Sequence, residues 1–126
     1  MPERPLTPGD MFYNVAIMTP RSIGEFELAV LLCVSLLRDE AYGAAVRRAV
    51  SERLARDCSV GAVYTTLQRL ESKGLVESWT SDPTPVRGGR AKRVFAVTAA
   101  GDQAIRHAKT TARRLWGGHG LRLSDA

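Results

Sequence analysis

Two stretches of this chain are the most informative: residues 59–80, SVGAVYTTLQRLESKGLVESWT, and residues 88–101, GGRAKRVFAVTAAG. The first predicts an amphipathic helix, because apolar residues recur at three- and four-residue spacing and therefore share one face. The residues expected on that inward face are Val60, Val63, Leu67 and Leu70. Ser59 is the expected N-cap, and Gly74 is the expected stop because glycine tolerates the left-handed conformation that ends many helices.

The opposite face of this helix carries residues that are small near its start and polar further on, namely Gly61, Ala62, Thr65, Gln68, Arg69 and Ser72. Small residues let a backbone approach DNA closely, and hydroxyl, amide and guanidinium groups can donate to base edges or phosphates. A solvated helix face without a partner has the same composition. The helix by itself therefore leaves the two interpretations equally open.

The second stretch completes a hairpin. Residues 75–80 and 91–97 have the β-branched and aromatic content of strands, and the prolines and paired glycines of residues 81–90 predict a loop between them. The cations of this hairpin are Arg87, Arg90, Lys92 and Arg93, with no acid between Thr84 and Ala100. A charge run is usually a solvated surface. Directly after a candidate recognition helix it favours phosphate binding.

These elements resemble the PadR family of bacterial transcriptional regulators, which are winged-helix proteins, over about Gly24 to Trp116. The resemblance is carried by short motifs in a fixed order: Tyr42-Gly43, G-x-x-Y-x-x-L-x-x-L from Gly61 to Leu70, ESKGLV, G-R-x-K-R from Gly89 to Arg93, and T-x-x-G from Thr98 to Gly101. The chain departs from the family at Ala91, where proline is common, and at Val94, where an aromatic residue is common.

The predicted fold is mainly α with a small β-hairpin (α+β). It comprises a winged helix-turn-helix DNA-binding domain over residues 22–97 and a C-terminal dimerisation helix over residues 98–117. Residues 1–21 hold four prolines around an apolar patch. They are expected to form an arm that is partly disordered or packs on the partner subunit. Residues 118–126 are expected to be a flexible tail.

Within the predicted domain, a first helix spans residues 22–38 and starts at an S-x-x-E capping box of Ser22 and Glu25. A second helix spans residues 42–55, and the last helix has Thr98 as its N-cap. Trp79 is expected to pack against the core or Phe95.

The DNA contacts follow from this arrangement. Ser59, Gly61 and Thr65 are expected to lie against base edges, while Gln68 and Arg69, a turn further on, are expected to reach phosphates. Arg90, Lys92 and Arg93 would hold the flanking minor-groove side. The resemblance implies that Tyr42 and Tyr64 touch the DNA backbone; half-buried packing is the alternative for both.

A narrow apolar seam on the last helix predicts an interhelical contact, because alanines let two helices approach closely. The resemblance implies that the first and last helices form a homodimer on a palindromic DNA operator. The expected interface residues are Phe26, Val30, Ile105, Ala108, Ala112, Leu115 and Trp116. The resemblance also implies a small aromatic effector, for which Trp116 is the candidate stacking surface. Regulation without any small ligand is equally consistent with the sequence.

Composition narrows the classes of function. The formal net charge is +5, with 15 arginines against 3 lysines, which favours nucleic acid or an acidic membrane surface as partner. The apolar run over residues 28–37 is too short to span a bilayer and the N-terminus lacks a signal-peptide pattern, so we expect a cytoplasmic protein with no membrane partner.

The reactive residue types do not form a catalytic pattern. Cys33 and Cys58 are isolated and are expected to be reduced structural thiols. His107 and His119 lack a carboxylate or nucleophile at suggestive spacing, so no enzyme activity, metal site or cofactor is expected. A winged-helix module that binds proteins without specific DNA binding is the main alternative.

Overall fold

The computed structural model describes residues 23–81 and 92–119. The elements of these residues are, in chain order, α1 (Glu25–Leu37), α2 (Gly43–Leu54), α3 (Val60–Ser72), β1 (Val76–Thr80), β2 (Arg93–Val97) and α4 (Ala99–Trp116). A single 3₁₀ turn, Arg38–Glu40, joins α1 to α2. This is the predicted mainly helical fold with a small antiparallel hairpin. The predicted arm (residues 1–21) and most of the predicted tail (residues 120–126) lie outside the described residues.

The starts of α3 and α4 are capped as the sequence predicts. The Ser59 hydroxyl oxygen accepts a hydrogen bond from the Ala62 amide at 3.1 Å, and the Thr98 hydroxyl accepts one from the Gly101 amide at 3.1 Å. These bonds satisfy amides that have no partner within the helix. At the other end of α3, Gly74 has a φ of 78°, the left-handed conformation expected of a helix stop.

The predicted capping box of α1 is wrong. The N-cap is Gly24 and α1 has no side-chain cap, so Glu25 is the first helical residue rather than the fourth residue of a box. Ser22 lies outside the described residues. Backbone extension at Gly24, with φ −65° and ψ 159°, sets the helix start two residues later than the spacing suggested.

One apolar core joins α1, α2, α3 and the hairpin. The side chains that it buries most completely include Val30, Leu31, Cys33, Val34, Val46, Val50, Val63, Leu67, Leu70 and Val76. Burial raises the pKa of the Cys33 thiol against the opposing effect of Arg53, so this thiol stays protonated at neutral pH. That is the behaviour expected of a structural cysteine.

A backbone hydrogen bond joins the hairpin to the segment before α2, in addition to the apolar core that they share. Its strands pair from Val76 with Val97 to Thr80 with Arg93. The Phe95 amide donates to the Ala41 carbonyl at 2.8 Å, so the segment before α2 extends the sheet at the free edge of β2.

The start of α4 passes close to the backbone of the α3–β1 turn. A Cβ atom on Gly101 would lie 2.1 Å from the Leu75 carbonyl oxygen, so only glycine fits there. The Thr98 hydroxyl also donates to the Gly74 carbonyl at 2.6 Å. In the next turn of α4, Ala104 and Ile105 still pack against the core, but Gly101 is the one residue of this helix that is fully buried. None of the helices within residues 23–81 and 92–119 is long and apolar enough to cross a membrane.

Trp79 does not pack against the core or Phe95, contrary to expectation. It pairs across the hairpin with Val94, on the sheet face opposite to Phe95, and its side chain is 48% exposed. There it lines an open cleft of about 310 Å³ with residues of α1, β2 and the first turn of α4.

We predict that Ser59→Ala lowers the free energy of unfolding by about 1 kcal/mol, because the Ala62 amide loses its acceptor. Ser59→Asp should retain the stability, since a carboxylate accepts the same bond and interacts favourably with the helix N-terminus. Ser72→Ala, at the exposed far end of α3, is the control and should change the value by less than about 0.5 kcal/mol. Urea unfolding of the four proteins measures the difference; equal values for wild type and Ser59→Ala would contradict it.

Candidate nucleic-acid interface

The outward face of α3 is the centre of the candidate site. All six residues predicted for it are exposed: Gly61, Ala62, Thr65, Gln68, Arg69 and Ser72. The only acid of α3, Glu71, is half-buried and accepts a hydrogen bond from the Ser78 hydroxyl at 2.7 Å. The exposed face is therefore neutral or cationic along its whole length, which suits a polyanionic partner.

The turn between α2 and α3 is fixed by side chains of α2. The Ser51 hydroxyl accepts from the Cys58 amide at 3.0 Å, and the Arg47 guanidinium donates to the Cys58 carbonyl at 3.4 Å. Arg47 also lies 3.7 Å from the Asp57 carboxylate. These contacts set the position of Ser59, so the start of α3 is held against α2.

Tyr64 links α3 to the start of α2. A Cβ atom on Gly43 would lie 1.9 Å from the Tyr64 hydroxyl oxygen, so the phenol ring occupies the space that glycine leaves open. The ring is 39% exposed. The two sequence motifs that contain Gly43 and Tyr64 thus meet in space, and Tyr64 has a packing role whether or not it also touches DNA.

Lys92 and Tyr42 join the hairpin to α2. The Lys92 ammonium lies 4.3 Å from the centre of the half-buried Tyr42 ring, within the range of a cation–π contact. The Lys92 amide donates to the Ser81 hydroxyl at 3.1 Å, and the Ser81 amide donates to the Lys92 carbonyl at 2.7 Å. The loop end of the two strands is therefore closed beside the N-terminus of α2.

The remaining predicted DNA contacts are placed as follows. Lys92 and Arg93 are exposed at the start of β2, whereas Arg90 lies outside the described residues. The oxygen of the exposed Ser59 hydroxyl already serves the helix cap.

The inward placement of Val60 is wrong, since 55% of its surface is exposed. Val60 is the first residue of α3, and the first inward residue is Val63, one turn later. The predicted N-cap at Ser59 could have indicated the exposure of Val60. It makes Val60 the first residue of the helix, ahead of Val63, the first residue that packs on the core.

The predicted dimer residues range from fully buried to largely exposed in the single chain. Val30 cannot take part in an interface as expected, because it is fully buried in the core of its own chain. Phe26 is half-buried, with the Arg56 guanidinium 5.8 Å from its ring centre. On α4, the first three predicted residues are half-buried, while Leu115 is 75% and Trp116 44% exposed. The Trp116 ring meets the His119 ring edge-on at 5.9 Å between centres.

Solved structures with this fold include several regulators. A PadR family transcription regulator from Clostridium difficile R20291 is 25% identical, with 73% of this chain and 90% of that chain covered and a TM-score of 0.56. RosR from H. salinarum is 24% identical, with 78% and 81% covered and a TM-score of 0.60. A PadR family transcriptional regulator from Eggerthella lenta is 23% identical, with 92% and 99% covered and a TM-score of 0.58.

The likeness to RosR and to the Eggerthella protein shows the winged-helix fold alone. The resemblance to a family of bacterial regulators implies a bacterial source; because archaeal proteins share this fold, that source stays a prediction. No curated protein matches the chain. The sequence model of the transcriptional regulator PadR-like family matches residues 31–107, more than half of the chain. The helix-turn-helix and its wing both lie within that match, and the chain belongs to the PadR-like family of transcriptional regulators.

Proposed function

We propose that this protein is a sequence-specific DNA-binding transcriptional repressor that acts as a homodimer on a palindromic operator. The observation that carries the proposal is the exposed face of α3, which has no acid and lies on the same domain as the exposed cations Lys92 and Arg93. A major groove accepts an α-helix, and its phosphates attract cations on both sides.

The proposed DNA contacts of α3 change with distance from its N-terminus. Gly61 and Thr65, near the N-terminus, would face base edges, and the helix dipole favours the approach of that end to phosphates. Gln68 and Arg69, one turn later, would reach the DNA backbone. Lys92 and Arg93, with Arg90 ahead of them, would hold the flanking minor-groove side. Tyr42 and Tyr64 would border the backbone contacts from their packed positions.

A winged-helix module that binds only proteins is the competing function. The salt dependence of binding distinguishes these two functions. A protein that neutralises DNA phosphates releases counterions, so its affinity for a duplex falls steeply as the salt concentration rises. A protein-binding module should lose little affinity for its partner when duplex DNA is added. The acid-free face of α3 supports the DNA-binding function.

We predict that replacing Lys92 and Arg93 together with alanine weakens binding to every duplex and lowers the slope of log affinity against log salt by about 1 to 2. Alanine at Arg106 and Arg114 is the matched control, since it removes the same charge from exposed positions of α4. The control should keep the wild-type slope. Fluorescence anisotropy with a labelled duplex at several salt concentrations measures the slopes; an unchanged slope in the Lys92/Arg93 variant would argue against a wing contact.

The dimer is supported by the surface of α4. Its apolar residues form a stripe that runs from the half-buried Ile105 to the exposed Leu115 and Trp116. Exposed apolar surface of this kind is covered favourably by a second copy, and a two-fold axis would place the same stripe on both sides of the contact. A dimer bound across an operator would exclude other proteins from that DNA, which is the basis for proposing repression.

Release by a small planar ligand would extend this proposal. Trp116 is the residue predicted to stack on such a ligand, and its 44% exposure leaves ring surface accessible in a single chain. A ligand at that position would contact the proposed dimer seam and could alter the spacing of the two α3 helices. Trp79 is 48% exposed as well, so a fluorescence titration needs a Trp79→Phe background to report on Trp116 alone.

We predict that Leu115→Glu converts the dimer to a folded monomer, because a carboxylate in the seam would be buried without a partner. The folded chain tolerates the change, since Leu115 is 75% exposed. His107→Glu is the control: it adds the same charge at an exposed position on the opposite side of α4 from Ile105. Sedimentation equilibrium at micromolar concentration, with circular dichroism to verify folding, measures the outcome. A monomeric wild type would refute the dimer.

A further inference from the structure

Val60 is an exposed apolar residue within the candidate interface. It and Leu36 are each 55% exposed, but only Val60 lies in α3, where it borders the exposed face of small and polar residues that begins at Gly61. Val60 stands one helical turn before Tyr64, and Gly61 stands one turn before Thr65. The two isopropyl methyl groups therefore sit at the leading end of α3, next to the residues proposed to read bases.

Among residues 23–81 and 92–119, Gly61, next to Val60, has no packing partner that would require a glycine. A Cβ atom built there would meet nothing within 4 Å, whereas one on Gly43 or Gly101 would collide with its neighbours. Glycine also weakens helices, by up to about 1 kcal/mol relative to alanine in a helix interior. The contacts that the structure describes thus give a reason for Gly43 and Gly101 but none for Gly61. A close approach by a surface outside the chain would supply that reason.

On the major-groove edge of DNA, the thymine C5-methyl group is the one apolar feature among donors and acceptors. We propose that Val60 contacts a thymine methyl group in each half-site, and that Gly61 is small so that α3 can come near enough for this contact. This inference rests on the proposed binding of α3 in the major groove. It adds an apolar specificity-determining residue, Val60, beside a face whose longer side chains, Thr65, Gln68 and Arg69, can form hydrogen bonds.

The methyl group can be removed from DNA without changing any hydrogen-bonding group, by replacing thymine with deoxyuridine. The probe is the tightest duplex that the full-length protein selects from a random pool, with each thymine replaced singly by deoxyuridine. For the wild type we expect deoxyuridine to lower the binding affinity about fourfold at one position per half-site. That is the change in affinity that burial of one methyl-sized group produces. Val60→Ala should bind the two duplexes equally well at that position, and Val60→Ile should restore the preference for thymine.

Two comparisons make the result specific to Val60. Leu36→Ala removes an equally exposed apolar side chain from α1 and should keep the wild-type ratio of thymine to deoxyuridine affinity. Gly61→Ala should weaken binding to the selected duplex while leaving the folded chain at least as stable in urea as the wild type.

The inference is overturned if no single deoxyuridine weakens wild-type binding, or if Val60→Ala retains the wild-type ratio. Either result, together with steep salt dependence on the selected duplex, would leave the proposed DNA-binding function standing. Failure to select any duplex would instead remove the proposed function and this inference with it.

Discussion

Complete burial of Val63, Leu67 and Leu70 is the constraint on which the rest of the structure depends. These residues recur at intervals of four and three positions, so they fix the rotation of α3 about its own axis. With that row against α1 and α2, the row of Gly61, Thr65 and Arg69 must face outward. The chemistry available to a partner is then decided by the core, before any partner is present.

Contacts around the core fix the other parts of the candidate interface relative to α3. Tyr64 fills the space over Gly43, and Lys92 lies over the Tyr42 ring, so the start of α2 is in contact with both α3 and the hairpin. The salt bridge of Lys73 with Glu27, at 3.0 Å, fastens the end of α3 to α1. The exposed face of α3 and the loop end of the hairpin are consequently held by one scaffold, as the proposed contact with a groove and its flanking phosphates would require.

Much of this arrangement could be predicted from the sequence, because its causes are local. The caps at Ser59 and Thr98 and the stop at Gly74 depend on side-chain or backbone properties of single residues. Four other expectations failed where tertiary packing decides. Ser22 and Glu25 fitted a capping box, but the backbone at Gly24 starts the helix later. Helical spacing placed Val60 inward, although it precedes the first packed turn.

The expectations for Val30 and Trp79 were wrong for a related reason. Apolar character alone does not tell an interface residue from a core residue, and the core of a single chain takes up Val30 completely. Alternation along a strand tells which side chains share a face of the hairpin. Which of the two faces packs on the helices depends on tertiary contacts, and Trp79 lies on the face opposite to Phe95. At the end of α4 the sequence correctly predicts an apolar seam, and Leu115 and Trp116 of that seam are exposed in the single chain.

We propose that two copies of this chain present their α3 helices to successive major grooves. Selection of bound duplexes from a random pool by the whole chain, followed by sequencing, is the decisive experiment. We expect an inverted repeat whose half-site centres are about 10 base pairs, or a multiple of one helical turn, apart. Recovery of a single sequence without two-fold symmetry, or no enrichment over the starting pool, would contradict it.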